Sequence, residues 1–328
     1  MALNVHLLNE YNLHIIDYLK EKLEPGIRLT TGSKIPPTGD IHILIAGRPD
    51  REMLEANQDL QALIIPWTGL PLETRELAGE FPQIAIHNLH HNATPVAEMA
   101  VTLLLAAAKK VLPFDAALRQ GNWTLRYQEP APSLTMKGKT VLILGYGAIG
   151  WRVARICHSM DMNVWAIKRK LSEEISDPYT REIFPPESIH DLLPYAQALV
   201  ITLPLTQETE GLIGEKELEL MPPESILVNI GRAPIVDEEA LYQALKHGRI
   251  GAAGLDVWYN YPANEESRSS TFPSKYPFWE LENVVLSPHR AGLTDDINHL
   301  RMDHLAVLLI AAARGEEIPN KVNLQLGY

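Results

Sequence analysis

Short runs of leucine and β-branched side chains alternate with amphipathic stretches along this chain, and the alternation is regular enough to read as elements. Residues 5–8 form an apolar run typical of a strand, and 11–23 carry a helical spacing that stops near Pro25-Gly26. A second strand follows at 41–46, a short helix at 53–57, and a third strand at 63–65 leading into Pro66-Trp67-Thr68-Gly69. Residues 74–79 are helical and 84–86 are a fourth strand, with a loop at 88–92. Strands that alternate with helices predict a parallel sheet, and ligands of such sheets lie beyond the carboxyl ends of the strands. Arg48, the turn containing Thr68, Gly69 and Leu70, and the loop containing His91 are therefore expected at one mouth.

The second part of the chain repeats the alternation. Thr94 is placed to cap a helix over 96–111, with Pro95 in its first turn, where a missing N–H costs nothing. That helix is apolar nearly all round, so it is expected to be buried in its domain or against another subunit. A loop is expected over 121–138, where Pro130 and Pro132 break any periodicity. Strands are then expected at 140–144, 164–167, 199–203, 226–230, 254–257 and 284–286, and helices at 216–220 and 237–247. A helix over 294–314 and an extended tail complete the chain. The reading is an α/β protein of two Rossmann-like, doubly wound domains with parallel sheets and a cleft between them.

One stretch adds chemistry to this pattern. After the apolar run at 140–144 come Gly145, Tyr146, Gly147, Ala148, Ile149 and Gly150, then a helical pattern, then Val164-Trp-Ala-Ile167. G-x-G-x-x-G between a strand and a helix is the dinucleotide-binding turn. Its first glycine permits the turn, the second admits the pyrophosphate, and the third lets helix pack on strand. The pyrophosphate would sit on the free amides of the helix N-terminus. NAD-binding units usually end the next strand in an acidic residue for the ribose 2′-hydroxyl. Here that strand ends in Lys168, Arg169 and Lys170, cations suited to a 2′-phosphate, so NADP(H) is the expected cofactor with NAD(H) possible.

Composition narrows the classes. The chain has 328 residues, enough for two domains, and its net charge of −12 argues against a sequence-independent nucleic-acid binder. A single cysteine, Cys157, excludes an intrachain disulfide and fits a reducing compartment; it falls on the helix after the glycine turn and reads as a small core residue. The longest apolar runs, at 100–108 and 305–313, are too short to span a bilayer, and no secretory signal opens the chain, so a cytoplasmic protein with no membrane contact is expected. His87, His90 and His91 lack a neighbouring carboxylate pattern, and no metal site is expected.

Six motifs in order resemble those of the NAD(P)-dependent D-isomer-specific 2-hydroxyacid dehydrogenases. They are Val96-Ala-Glu98, the glycine turn, Leu203-Pro204-Leu-Thr206 with Thr209, Asn229-Ile230-Gly231-Arg232-Ala233, Gly254-Leu-Asp256-Val257 and Ser287-Pro-His289. The resemblance implies a discontinuous substrate domain, 1–112 plus 295–328, and an inserted dinucleotide-binding domain, 113–294. It also implies a homodimer paired around the Val96 helix. The substrate would be a small 2-keto acid of the glyoxylate or hydroxypyruvate kind, reduced to the D-2-hydroxy acid. Arg232 matches the family's substrate-anchoring arginine and His289 its general acid, with Arg48, Thr68, Gly69, Leu70 and His91 on the substrate side. Besides the glycine turn and the basic cluster, the cofactor would meet Leu203, Pro204, Thr209, Asn229, Ile230, Gly231, Asp256, His289 and Gly292.

The family's third catalytic residue is absent. Its acid lies five positions after the aspartate of the Leu-Asp-Val motif and just before proline, and that position here is Tyr261, followed by Pro262. A carboxylate would orient the imidazole and raise its pKa; a phenol can orient it but brings no charge near neutrality. The stretch 263–276 is longer than the family's usual link and reads as a surface loop, and a bulge there would be able to bring Glu265 or Glu266 to His289 instead. Two other readings stay open: a catalytically weak, nucleotide-bound regulatory or scaffold protein, favoured by Tyr261, and a relative acting on an unusual one-carbon or phosphorus substrate.

Overall fold

The computed structural model describes residues 2–8, 11–34, 40–129, 132–169 and 177–327. Packing divides the chain into two units, one of residues 1–92 with 293–328 and one of residues 93–292.

The first unit contains a five-stranded parallel sheet in the order β2-β1-β3-β4-β5. The strands are β1 (Leu3–Leu7), β2 (Ile27–Thr31), β3 (Ile43–Ile45), β4 (Ala62–Ile65) and β5 (Ala85–Asn88). Helices α1 (Leu13–Lys22), α2 (Arg51–Glu55) and α3 (Leu72–Gly79) connect them. The sequence reading lacked β2, whose alternating exposure (Ile27 and Leu29 half-buried, Arg28 exposed) marks an edge strand with too little apolar character to stand out. Val5, Leu7, Ile43, Ile45 and Ile64 bury themselves on one face with α1, and Leu44, Leu63, Ile65 and Ile86 on the other. That two-sided burial is why these strands read as continuous apolar runs.

The second unit opens with α4 (Ala93–Lys109) and α5 (Val111–Arg119) and contains a seven-stranded parallel sheet. Its strands are β6 (Thr140–Leu144), β7 (Asn163–Ile167), β8 (Glu182–Phe184), β9 (Ala198–Ile201), β10 (Ile226–Asn229), β11 (Ala252–Leu255) and β12 (Val284–Leu286). Helices α6 (Ala148–Ser159), α7 (Ile189–Leu192), α8 (Glu215–Leu220) and α9 (Glu238–Lys246) link them. The last helix of the chain, α10 (Ile297–Ala313), belongs to the first unit and packs beside α1. The sheet order is β12-β11-β10-β9-β6-β7-β8, so the chain reverses direction between β6 and β9. Alternate residues of β6 again serve two cores, Val141 and Ile143 facing α4 and α6, Leu142 and Leu144 facing the other layer.

Three local expectations change. Helix α4 begins at Ala93, one residue before the expected cap, so Thr94 is inside the first turn and its hydroxyl accepts from Arg152 Nε at 3.0 Å. The expected helix over 96–111 stops at Lys110, which takes a left-handed φ of 52°, and a separate helix α5 follows before the stretch 121–138 expected as a loop. Helix α4 packs on α6, β10 and β11, so by packing it joins the second unit, although the resemblance placed 93–112 with the first. Cys157 is fully buried, and burial pushes its thiol pKa up to about 12.

Candidate functional site

The glycine turn of the second unit separates three roles. Gly145 has φ 97°, a conformation open to glycine, and a side chain there would press on Thr202 and Leu203. A Cβ on Gly150 would lie 2.0 Å from the carbonyl oxygen of Gly145, so helix α6 packs directly on the turn only because this residue is glycine. Gly147 is different: a Cβ there would meet nothing within 4 Å. It precedes α6, and the first intrahelical amide bond is Trp151 N–H to Gly147 O at 3.0 Å, which leaves the amides of Ala148, Ile149 and Gly150 without helical partners. Open space above a set of free amides fits a pyrophosphate.

The basic strand end follows β7. The Lys168 amide donates to Phe184 O at 2.9 Å, which holds the strand end on β8. Arg169 Nη1 lies 3.5 Å from Glu208 Oε2, in the turn after β9. Lys170 lies outside the described residues. In that same turn Thr209 Oγ1 donates to Pro204 O at 2.7 Å and accepts from the Thr206 amide at 2.8 Å, so the Leu203–Thr209 motif closes on itself. The next motif also spends its polar atoms internally. Asn229 accepts from Gly231 N–H at 3.0 Å and donates to Arg232 O at 3.0 Å, which shapes the turn that presents Arg232. Arg232 is exposed, and its Nη1 donates to Gly231 O at 2.7 Å.

His289 stands on a turn in an uncommon conformation, with φ 56°. The buried carboxylate of Asp256, at the end of β11, holds that turn: it accepts from the Ser287 hydroxyl, from Arg290 N–H at 2.9 Å and from Ala291 N–H at 3.0 Å. The Trp258 indole adds a bond to Ser287 O at 2.8 Å. Three donors leave Asp256 little spare acceptor capacity, and its part here is to hold the loop. Tyr261 Oη lies 2.9 Å from His289 Nδ1 and accepts from the Trp258 amide at 3.1 Å. Partial burial and the nearby Arg232 charge lower the His289 pKa, with Asp256 opposing them. Glu265 pairs instead with Arg268 on its own turn, and the loop is tied down by Ser274 to Glu238 at 2.7 Å and by the Asn260 amide to Pro273 O at 3.0 Å.

The residues expected on the substrate side, in the first unit, follow the carboxyl ends of the neighbouring strands β3, β4 and β5. Arg48 follows β3 and lies 3.8 Å from Glu73 on an exposed surface. Thr68 follows β4; its hydroxyl reaches Asn92 at 2.6 Å and Leu89 O at 3.0 Å, and its carbonyl accepts from Asn88 at 2.7 Å. Gly69 and Leu70 continue that turn. His91 is buried, its pKa pushed down to about 3 by burial and by Arg301, His304 and His90, so it is neutral at ordinary pH and offers no charge to a carboxylate. His87 is also buried, with Nδ1 2.9 Å from Pro319 O.

Comparison with known proteins identifies the family. The family model described as "D-isomer specific 2-hydroxyacid dehydrogenase, NAD binding domain" matches residues 101–291. The chain belongs to this family. It is 40% identical over 311 residues to a glyoxylate reductase of Aeropyrum pernix, covering 93% of this chain and 89% of that protein. Its fold is similar to that of a D-isomer specific 2-hydroxyacid dehydrogenase from Xanthobacter autotrophicus Py2, solved with NADPH and MES, with TM-score 0.80, 21% identity and full coverage of both chains. It also resembles an NADPH-dependent glyoxylate/hydroxypyruvate reductase from Sinorhizobium meliloti, solved with NADP and sulfate, with TM-score 0.78, 19% identity and coverage of 99% of this chain and all of that one.

Family membership gives the motifs one frame, a dehydrogenase fold whose second unit is the NAD-binding domain. Two groups on that unit carried no signal in the pattern. One is the Trp258 amide, a backbone donor invisible in any residue type, and the other is Glu208, whose relation to Arg169 depends on the ends of β7 and β9 lying on either side of β6. No helix among the described residues is long and apolar enough to cross a membrane.

Proposed function

We propose that this protein is a cytoplasmic, NADPH-preferring reductase that converts a small 2-keto acid, of the glyoxylate or hydroxypyruvate kind, to the D-2-hydroxy acid. The observation that carries the proposal is the Arg232–His289–Tyr261 group: an exposed guanidinium near enough to depress the imidazole pKa, and an imidazole oriented by a hydrogen bond. The glyoxylate reductase relative of Aeropyrum pernix supports the substrate class, and the NADPH-bound relatives together with Lys168 and Arg169 support the cofactor.

The reduced nicotinamide supplies hydride when it is bound. Arg232 anchors the substrate carboxylate with parallel N–H donors and polarises the keto group, since a guanidinium stays charged throughout. His289 Nε2 delivers the proton to the keto oxygen. Thr68, Gly69 and Leu70, with Arg48 and His91, are proposed to recognise the substrate. Leu203, Pro204, Ile230, Gly231 and Gly292 are proposed to contact the cofactor directly, and Thr209, Asn229 and Asp256 to act on it through the turns they hold. A homodimer is proposed through the region around α4, the helix of Val96, where the adjoining α5 buries none of its side chains and leaves Val111, Leu112 and Leu118 about half exposed. A panel of 2-keto acids assayed with NADPH and with NADH tests the reading. Turnover of glyoxylate or hydroxypyruvate with a lower KM for NADPH is the expected result; preference for NADH, or no turnover of any 2-keto acid, overturns it.

A further inference from the structure

His289 has an unusual partner for a proton donor. A carboxylate only accepts hydrogen bonds, so beside Nδ1 it requires hydrogen on that nitrogen. A ring so held has a proton to give from Nε2 only while it is the imidazolium. A phenol can donate. The Tyr261 oxygen already accepts from the Trp258 amide at 3.1 Å, and His289 Nδ1, 2.9 Å away, is a better acceptor than a phenol oxygen with a lone pair already engaged. The groups that face the ring are Tyr261, Arg232 and Asp256. Asp256 is committed to Ser287, Arg290 and Ala291, and Arg232 favours the neutral imidazole.

We propose that Tyr261 is a proton relay behind His289. Its O–H points at Nδ1, which leaves the neutral ring's hydrogen on Nε2, and the phenol proton moves to Nδ1 as Nε2 protonates the substrate oxygen. The proposal rests on the reading of His289 as proton donor. Hydride adds to the keto carbon, the C=O π pair goes to oxygen, and that oxygen takes the Nε2 proton. The ring then carries hydrogen on Nδ1, and the phenolate is stabilised by the Trp258 N–H and the Arg232 charge. After product leaves, the Nδ1 hydrogen returns to the phenolate while water reprotonates Nε2; Tyr261 is 47% exposed, so water reaches the pair. The sum is one hydride and one proton per turnover. Without the relay a neutral ring would have to become an imidazolate. With it, the alkoxide is protonated at the expense of a phenol; partial burial raises the Tyr261 pKa above the ordinary value of about 10, against the Trp258 N–H and Arg232, and its phenolate is still less basic than an alkoxide.

Two measurements test the relay. In the unliganded protein, nitrogen NMR of labelled histidine at neutral pH should show His289 with hydrogen on Nε2 and a hydrogen-bonded, unprotonated Nδ1. Tyr261→Phe should lose this bias, and hydrogen on Nδ1 in the parent overturns the proposal. In turnover with saturating NADPH and keto acid, the parent's rate should persist above the histidine pKa. The Tyr261→Phe rate should fall about ten-fold per pH unit there, as expected when only imidazolium donates. Superimposable alkaline limbs overturn the relay. Tyr261→Glu restores an acceptor-only partner and should show hydrogen on Nδ1 with a rate that falls above its raised pKa; a profile and tautomer equal to the parent's also overturn the proposal. A protein that reduces no 2-keto acid refutes the proton-donor reading itself, while the NMR result still decides the direction of the hydrogen bond.

Discussion

The two units are built on parallel sheets with the proposed functional loops at the strands' carboxyl ends, yet the groups buried behind those loops differ. In the second unit, charged and polar side chains are spent on shape. Asp256 supports the His289 turn, Asn229 the Arg232 turn and Thr209 the turn after β9. In the first unit Thr68 is likewise held by Asn92 and Asn88, but the buried groups nearby are imidazoles: His91 has its pKa pushed down to about 3, and His87 and, within β1, His6 are lowered by burial as well. A carboxylate that accepts several bonds holds a loop through charge and keeps its shape where charge is stable. A buried imidazole is stable in its place only while uncharged, so acid works against it.

The comparison breaks most sharply at the reacting groups. His289→Ala should lower kcat by about 10²–10⁴-fold, the usual worth of a positioned acid, and Arg232→Ala should lower kcat/KM for every keto acid tested. Circular dichroism and thermal unfolding should stay near the parent's, because both side chains are exposed. Activity that survives both changes would mean that this unit's rim is not the reacting site.

Two glycines of one motif sharpen it next. Gly150→Ala forces a Cβ against Gly145 O and should cost about 1–3 kcal/mol of stability, as overpacking does. Gly147→Ala meets open space and should leave unfolding within about 0.5 kcal/mol while it weakens dinucleotide binding. Denaturant unfolding and a binding titration read the two effects separately. A Gly147 variant that is unstable but binds normally would reverse the assignment.

Acid acts on the first unit through its buried imidazoles. His91 has a folded pKa of about 3, below its unfolded value of about 6.5, so the unfolded chain binds more protons between these values. The folded state therefore loses up to about 1.4 kcal/mol per pH unit from this group as pH falls below about 6.5. His91→Gln should flatten the fall of Tm with pH over that range. An unchanged slope would show that His91 is not the group responsible.

The smallest effect concerns the cofactor. If Arg169 takes the 2′-phosphate as proposed, Glu208 competes for it, and both side chains retain contact with solvent, so their pairing is worth at most about 1 kcal/mol. Glu208→Gln should tighten NADPH by about two- to five-fold with little change for NADH. Equal gains for both cofactors would place Glu208 outside the phosphate's reach.

Much of this was legible in the residues because it is local. A glycine turn between two apolar runs requires only neighbours in sequence, and burial on both faces makes strands such as β6 and β9 visible as unbroken hydrophobic runs. Edge strands β2 and β8 were missed because an edge buries less, and α5 because it buries none of its apolar side chains among the described residues. Motif spacing placed Tyr261 at the family's acid position, yet spacing could not choose between Tyr261 and Glu265 as the partner of His289. That choice depends on how the loop after β11 folds, and there Glu265 turns to Arg268 while Tyr261 reaches Nδ1. The left-handed turn at His289 and the amide of Trp258 behind the phenol were likewise outside the reach of pattern. Side-chain identity records what a group can do chemically; which of its lone pairs and protons remain available is decided by neighbours that only the tertiary structure brings within 3 Å.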